Sequence, residues 1–198
     1  WQAKYPLEKL IGGRQLEEPP PAWKEEDVYD YGVEKLLVVD EDRLVDLLVL
    51  NDFHASQRCA VISRSGYPAY LVPRVRSLLE RRADLPVFVL HDSSDAGQVL
   101  AYGVRKLGLG IQAHPVTDLG WSPWDVEAIR GLGFLDAEFR AGGIAVDLIP
   151  PRRLLRCLAA ALERDVPLAA FLGASAVSSA WDGHGDRHWL MTDTEDFG

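Results

Sequence analysis

The chain has 198 residues, the size of one ordinary domain or of one domain with extensions. Hydrophobic residues make up 47% and charged residues 26%, which excludes disordered, collagen-like and coiled-coil proteins. The 21 basic and 30 acidic side chains give a net charge of −9, which argues against a protein whose whole surface binds nucleic acid. No apolar run reaches the roughly 18 residues of a membrane span, so the sequence predicts a cytoplasmic protein without membrane contact.

The first 34 residues contain three consecutive prolines followed by charges, a pattern that predicts a stiff approach segment. Beyond it, predicted strands and helices alternate. The strands are predicted at 35–39, 59–62, 85–90 and 110–116, and the helices between them at 43–51, 70–82 and 95–107, the last capped by Ser94 or Asp95. This alternation is typical of an open, mainly parallel α/β sheet of four strands flanked by helices.

The C-terminal third predicts a helical appendage. One helix is predicted to open at 122–125 and another covers 151–164, before a flexible acidic tail. The sequence thus divides into an approach segment at 1–34, a domain at 35–130 and the appendage and tail at 131–198. Cys59 and Cys157 lie in apolar runs and predict buried thiols rather than a disulfide or a metal site. The first residue, Trp1, favours a piece of a longer protein.

Acidic side chains follow the first and third predicted strands. Asp40, Glu41 and Asp42 come after the first, and Asp92 and Asp95 come after the third. Ligands of open α/β sheets bind outside the carboxyl ends of the strands, and gathered carboxylates favour a hard cation such as Mg²⁺. The alternative for Glu41, Asp42 and Asp95 is a helix first turn, where the helix dipole favours acids.

Two families of phosphoryl-transfer proteins share parts of this layout. The run Leu36 to Val45, with its paired acids, resembles the opening of a receiver domain, in which Asp92 would be the phosphoacceptor and Thr117 the hydroxyl. No lysine follows Lys106, so that family's lysine has no candidate. The Asp-x-Asp at positions 40 and 42 is similar to that of haloacid-dehalogenase phosphatases, but their following Gly-Thr pair is absent.

Four ordered motifs carry a stronger resemblance over about residues 35–130. They are Val38-Val39-Asp40 at the end of the first strand; Gly66-Tyr67-Pro68 followed by Arg74 or Arg76; Asp92-Ser93-Ser94-Asp95-Ala96-Gly97; and Leu119-Gly120 leading to Pro123 and Asp125. In this order and spacing they resemble the Toprim domain found in meiotic double-strand-break proteins and in their relative, the topoisomerase VI A-subunit.

The resemblance implies a Mg²⁺-dependent site for phosphodiester chemistry on DNA. It makes Asp40 and Asp92 the catalytic candidates, and Asp40, Asp92, Ser94 and Asp95 the metal-ligand candidates. Asp40 replaces the family's glutamate and Ser94 its second aspartate. Because hard-ion affinity depends on the number and charge of oxygen ligands, these changes predict a weakened or lost Mg²⁺ site.

Basic and imidazole side chains form a second set of candidates. Arg64, Arg74 and Arg76 surround the second crossover and suit phosphate contact with nucleic acid, with a solvated helix face as the alternative. His91 suits a ligand, a general acid or a buried imidazole bonded to the backbone. His184 and His188 carry ligand-type side chains in the glycine-containing tail.

These observations leave two leading hypotheses and one minor one. The first is a Toprim-like domain with a weakened Mg²⁺ site, related to DNA cleavage or topoisomerase chemistry; the second is a catalytically inactive accessory or interaction domain. The third is a receiver-like phosphoacceptor domain. The resemblance also implies a nucleophilic tyrosine on a winged-helix domain, for which 34 residues are too few, so strand passage by this chain alone is not expected. The partners implied are DNA through a neighbouring domain or subunit, another protein, or a second copy of the chain.

Overall fold

The computed structural model describes residues 15–19, 32–122, 125, 145–146 and 149–172. Within these, four strands form a single sheet in the order β2-β1-β3-β4, and every neighbouring pair is parallel. The strands are β1 (Lys35–Val39), β2 (Cys59–Ser63), β3 (Val87–Leu90) and β4 (Val116–Asp118). The predicted open α/β sheet is therefore confirmed. The predictions for the acidic tail, including His184 and His188, lie outside the described residues.

Helices cover both faces of the sheet. They are α1 (Asp42–Leu50), α2 (Phe53–Ser56), α3 (Val72–Arg81), α4 (Asp95–Gly103) and α5 (Pro151–Arg164), with 3₁₀ turns at Val104–Lys106, Ile111–Ala113 and Leu168–Phe171. The short helix α2 had no counterpart among the predicted elements. Within the described residues, no helix is long and apolar enough to cross a bilayer.

Alternate residues of β1 enter two separate cores. Leu37 and Val39 pack with α1, α2 and α5, whereas Leu36 and Val38 pack with α3 and α4. Both faces of β1 are thus buried, which explains its unbroken apolar sequence. Cys59 and Cys157 are buried free thiols, as predicted. The amide of Leu168 donates to the carbonyl of Leu119, so the C-terminal part is bonded directly to the end of the sheet.

The fourth strand does not lie at 110–116 as predicted. Residues 111–113 form a 3₁₀ turn, and the strand begins at Val116. Gly110 has a φ of 90°, and the guanidinium of Arg105 donates to the carbonyls of Ile111, Gln112 and His114. Those carbonyls are therefore satisfied without a sheet partner.

The predicted helices at 43–51 and 70–82 and the strand at 59–62 differ from the observed elements by one or two residues, and two other elements differ further. The third strand begins at Val87 rather than at 85, because Pro86 has no N–H to donate to a ladder. The helix expected over 95–107 ends at Gly103 and continues as a 3₁₀ turn. Its predicted cap is confirmed, since the hydroxyl of Ser94 accepts from the amide of Gly97.

Candidate acidic site at the carboxyl edge of the sheet

The acids after β1 and β3 lie side by side because these strands are neighbours. Val39 pairs with Leu90, and the amide of Asp40 donates to the carbonyl of Leu90 at 3.1 Å. Asp40 and Asp92 line one small pocket, together with Glu41, Arg43, Leu44, Ala145 and Val146. Its cavity volume is about 10 Å³, which is room for about one water molecule.

Asp40 is the most enclosed acid of the site, with 8% of its surface exposed. The Nε of Arg64 lies 2.9 Å from its Oδ1 and forms an ion pair. Burial raises the pKa of Asp40; Arg64 opposes the rise, and the charges of Asp92 and Glu41 add to it. Although Oδ1 is buried, it accepts no hydrogen bond from the described residues, because the contact with Arg64 lacks hydrogen-bond geometry.

Asp92 is held by the first turn of α4. Its Oδ1 accepts from the amide of Ser94 at 3.0 Å and from the hydroxyl of Ser94. That same hydroxyl accepts from the amide of Gly97 at 3.0 Å, so it caps the helix and orients Asp92 at once. A Cβ at Gly97 would lie 2.3 Å from Asp92 Oδ1 and 2.5 Å from its carbonyl oxygen, so this arrangement requires glycine.

The other acids have local partners or lie away from the pocket. Asp42 accepts hydrogen bonds from the hydroxyls of Ser63 at 2.5 Å and Ser65 at 2.7 Å, and so holds the turn after β2. Glu41 lines the pocket but pairs with Arg43 at 2.5 Å. Asp95 is exposed in the first turn of α4, and neither it nor Ser94 lines the pocket.

His91 is buried between two acceptors. Its Nδ1 lies 2.6 Å from the carbonyl oxygen of Asp92, and its Nε2 lies 3.1 Å from Oδ1 of Asp118. Only the protonated ring can donate from both nitrogens, so these two contacts favour the charged form of His91. Burial acts to lower the pKa of His91, but the bonds to Asp118 and Asp92 outweigh it, and the pKa is raised.

The role of Asp118 escaped sequence reasoning. It stands at the carboxyl end of β4, and its distance from His91 depends on where that strand lies. A strand ending at residue 116 separates the two side chains, whereas the observed strand places them at one edge. The available signal was Asp118 itself, an acidic residue two positions after the apolar Val116.

Tyr67 and Asp46 form a buried polar pair that sequence reasoning did not find. The hydroxyl of Tyr67 donates to Asp46 at 2.6 Å and accepts from the amide of Leu16 at 2.5 Å. Asp46, 2% exposed, also accepts from the amide of Gln15 at 3.1 Å. Burial and the bond to Asp46 raise the pKa of Tyr67. The pair attaches residues 15–16 to the domain.

Of the three arginines proposed for nucleic-acid contact, two line the same cavity and the third does not. Arg64 and Arg76 line a second, larger cavity between the turn after β2, α3 and residues 107–109. Arg74 is partly buried on α3 and does not line it. Arg64 therefore lies between the two cavities: it lines the larger one, and it forms an ion pair with Asp40, which lines the smaller one.

The described residues do not make a complete Mg²⁺ site. Among them, no group of three or more acidic, histidine or cysteine side chains is arranged to hold a metal ion. Asp40 is paired with Arg64, and the Oδ1 of Asp92 is occupied by Ser94. One feature fits a cation, namely the buried Oδ1 of Asp40, which accepts no hydrogen bond within the described part. Mg²⁺ sites are built from several oxygens in near-octahedral geometry, which this pair of acids does not supply.

Comparison with known families agrees with the fold and with the order of the motifs. Residues 35–122 match the family model for the Toprim domain of the topoisomerase 6 A-subunit/Spo11 family. Neither the curated proteins nor the solved structures gave a significant match to the chain. The matched range contains the four strands of the sheet and the pocket's three acids, Asp40, Glu41 and Asp92. Residues 35–122 of this chain are a Toprim domain of the topoisomerase 6 A-subunit/Spo11 family.

Proposed function

We propose that this Toprim domain keeps its scaffold without catalysis and acts as an accessory domain that binds a partner. The observation that carries the proposal is the ion pair between Arg64 and Asp40, the residue in the position of the family's glutamate. A carboxylate that is buried and paired is held by the protein's own cation. It has less to gain from a metal than a free carboxylate would.

The charges around the pocket support the same conclusion. Arg64 faces Asp40, Arg43 faces Glu41, and the ring of His91, whose own pKa is raised, acts to lower the pKa of Asp40. Two arginines, and His91 in its protonated form, thus accompany the pocket's three acids. Repulsion among carboxylates, which a divalent ion relieves in a metal site, is relieved here by side chains.

Ser94 supplies the second argument. In the family pattern this position is an aspartate, whose charge would add to the cradle. Here the hydroxyl donates to Asp92 and accepts from Gly97, so it stabilises the first turn of α4. The replacement therefore exchanges a charged ligand for a helix cap.

Calorimetric titration tests the proposal. The chain is titrated with Mg²⁺ and with Mn²⁺ to millimolar concentrations, beside an Asp92→Asn variant. The expected result is no saturable heat in either protein. Saturable binding by the native chain that Asp92→Asn abolishes would contradict the proposal.

The alternative function is a weakened Mg²⁺ site for DNA phosphodiester chemistry. Its support is the buried Oδ1 of Asp40, which accepts no hydrogen bond from the described residues. Asp40 also lines the same pocket as Asp92. In that case Asp40 and Asp92 would hold the ion. Metal binding together with Mn²⁺-dependent nicking of plasmid DNA, both lost in Asp40→Asn, would favour this alternative.

The accessory function requires a partner. The candidates are another protein, a second copy of the chain, and DNA presented by a neighbouring domain or subunit. Sedimentation velocity of the chain alone and with duplex DNA separates them. Self-association points to the second copy, co-sedimentation with DNA points to direct contact, and a monomer in both points to another protein.

A further inference from the structure

The larger cavity, which adjoins the acidic pocket at Arg64, carries a separate inference. It has a volume of about 330 Å³ and lies beside the carboxyl end of the edge strand β2. Its lining combines the turn after β2, one side of α3 and a loop after α4, namely Ser63, Arg64, Ser65, Gly66, Ala69, Val72, Arg76, Leu107 and Leu109. We refer to these nine residues as the arginine groove. Its volume lies within the range of small-molecule sites, about 300–1,000 Å³.

The arginine groove is positively charged. Arg64 and Arg76 line it, and no acidic side chain does. Arg76 is exposed, and within the described parts of the chain it forms no hydrogen bond or ion pair. The Nε of Arg64 pairs with Asp40 and one of its terminal nitrogens donates to the carbonyl of Ala96 at 3.4 Å, while the residue also lines the groove.

The other residues that line the groove form an apolar side and a polar side. Val72, Leu107 and Leu109 provide an apolar wall, while Ser63 and Ser65 lie beside Arg64. Both serine hydroxyls donate to Asp42, so they hold the turn rather than the ligand. Anion recognition therefore falls on the two guanidinium groups, whose planar forks match phosphate oxygens.

From this arrangement we propose that the arginine groove binds a small organic phosphate of nucleotide size. Its phosphate contacts Arg64 and Arg76, and its less polar part lies against Val72, Leu107 and Leu109. The proposal goes beyond the accessory function, since it concerns the groove, which shares only Arg64 with that argument, and needs no metal.

Binding is measured by calorimetry in the presence of EDTA, so that the result is independent of the Mg²⁺ titration. The probes are adenosine 5′-monophosphate, adenosine, inorganic phosphate and a short single-stranded oligonucleotide. The expected order is nucleotide tightest, inorganic phosphate at least tenfold weaker, and adenosine without saturable binding.

Two groove variants and one control locate the site. Arg76→Ala is expected to weaken nucleotide binding at least tenfold, because it removes one guanidinium from the groove. Ala69→Glu is expected to do the same by placing a carboxylate there. Both positions are exposed, and circular dichroism verifies that the variants fold. Arg81→Ala, at the other end of α3 and outside the groove, is expected to leave binding unchanged.

Three outcomes would overturn the proposal. The first is no saturable nucleotide binding at millimolar concentration. The second is equal weakening by Arg76→Ala and Arg81→Ala, which would indicate a general charge effect. The third is binding of the oligonucleotide alone, which would assign the groove to a nucleic-acid strand rather than to a small phosphate.

Discussion

The imidazole of His91 and the carboxylate of Asp118 connect the carboxyl ends of β3 and β4, with 3.1 Å between Nε2 and Oδ1. The contact lies beside the acidic pocket, and the other ring nitrogen faces the backbone of Asp92. Gly120 makes it sterically feasible, since a Cβ there would lie 2.2 Å from the ring. The pair therefore links the backbone position of Asp92 to a titrating group.

This pair predicts a pH dependence of stability. The pKa of His91 is raised above its ordinary 6.5, so its contribution is complete below about 6.5 and is lost as the pH rises through the folded-state value. The pKa of Asp118 is lowered from 3.8, despite opposing burial, so its contribution is lost as the pH falls below about that value. The pair therefore stabilises the fold most between about pH 4 and 6.5.

The measurement is the free energy of unfolding of the native chain minus that of Asp118→Asn, from urea denaturation at several pH values. We expect a difference of about 1 kcal/mol near pH 6 that shrinks toward pH 8.5, since the carboxylate is half exposed. Subtraction removes the contribution of His54, whose pKa is lowered by burial. A difference that does not change with pH would contradict the charged pair.

Gly97 predicts a steric effect with a matched control in the same helix. Gly97→Ala places a Cβ against Asp92 and is expected to lower the free energy of unfolding by about 2 kcal/mol. Gly103→Ala, with nothing within 4 Å of its Cβ, is expected to be neutral or to stabilise by about 0.5 kcal/mol. Thermal and urea denaturation of both variants provide the comparison, and similar effects would refute the close contact.

Arg64 predicts a coupling with Asp40 that a double-mutant cycle can measure. Arg64→Ala leaves a buried carboxylate unpaired and is expected to destabilise the fold by about 1–2 kcal/mol, since the arginine is half exposed. In the Asp40→Asn background the same change is expected to cost less than about 0.5 kcal/mol. Additive effects would show that the ion pair does not contribute.

Tyr67 predicts a structural role for the Gly-Tyr-Pro turn. Tyr67→Phe removes a donor to buried Asp46 and an acceptor for the amide of Leu16. The expected loss is about 2 kcal/mol in the free energy of unfolding, because buried Asp46 loses its hydroxyl donor and the amide of Leu16 loses its acceptor. Tyr102→Phe, with the residue 86% exposed, is the control and is expected to be neutral. The prediction fails if both variants unfold at the same urea concentration.

Restoring the family's acids predicts a gain of metal binding. The double variant Asp40→Glu and Ser94→Asp adds one methylene in the pocket and one charge beside Asp92. We expect it to show saturable Mg²⁺ binding at millimolar concentration, which the native chain is expected to lack, because affinity follows the charge of the oxygen ligands. The double variant with Ser94→Asn is the neutral control. Equal titrations for all three proteins would indicate that other residues limit the site.

The sequence allowed correct prediction where one physical signal dominates. Unbroken apolar runs identified β1 and β2 because strands buried on both faces contain few polar residues. The motif order identified the family, and the pairing of β1 with β3 brought Asp40 and Asp92 to one pocket as expected. The helix at Pro151–Arg164 was predicted with its observed bounds.

The remaining features depend on contacts between distant residues. Arg105 lies outside any local pattern, yet its bonds to three carbonyls turn residues 111–113 out of the sheet. The partner of Asp40 is Arg64, which is reached only through the pairing of β1 with β2. The sequence predicted the residue types at the edge of the sheet, but ion pairing among them is a property of the folded chain.

The strand order places β1, the first strand among the described residues, in the interior of the sheet, between β2 and β3. Its second partner begins about 50 residues later, and parallel strands offer no hairpin from which pairing could spread. Loop closure must therefore precede most of the stabilising contacts, a condition associated with slow folding. In a nascent chain from which β3 has not yet emerged, one backbone edge of the apolar strand β1 has no partner. We therefore expect this domain to be more prone to aggregate during synthesis than after folding.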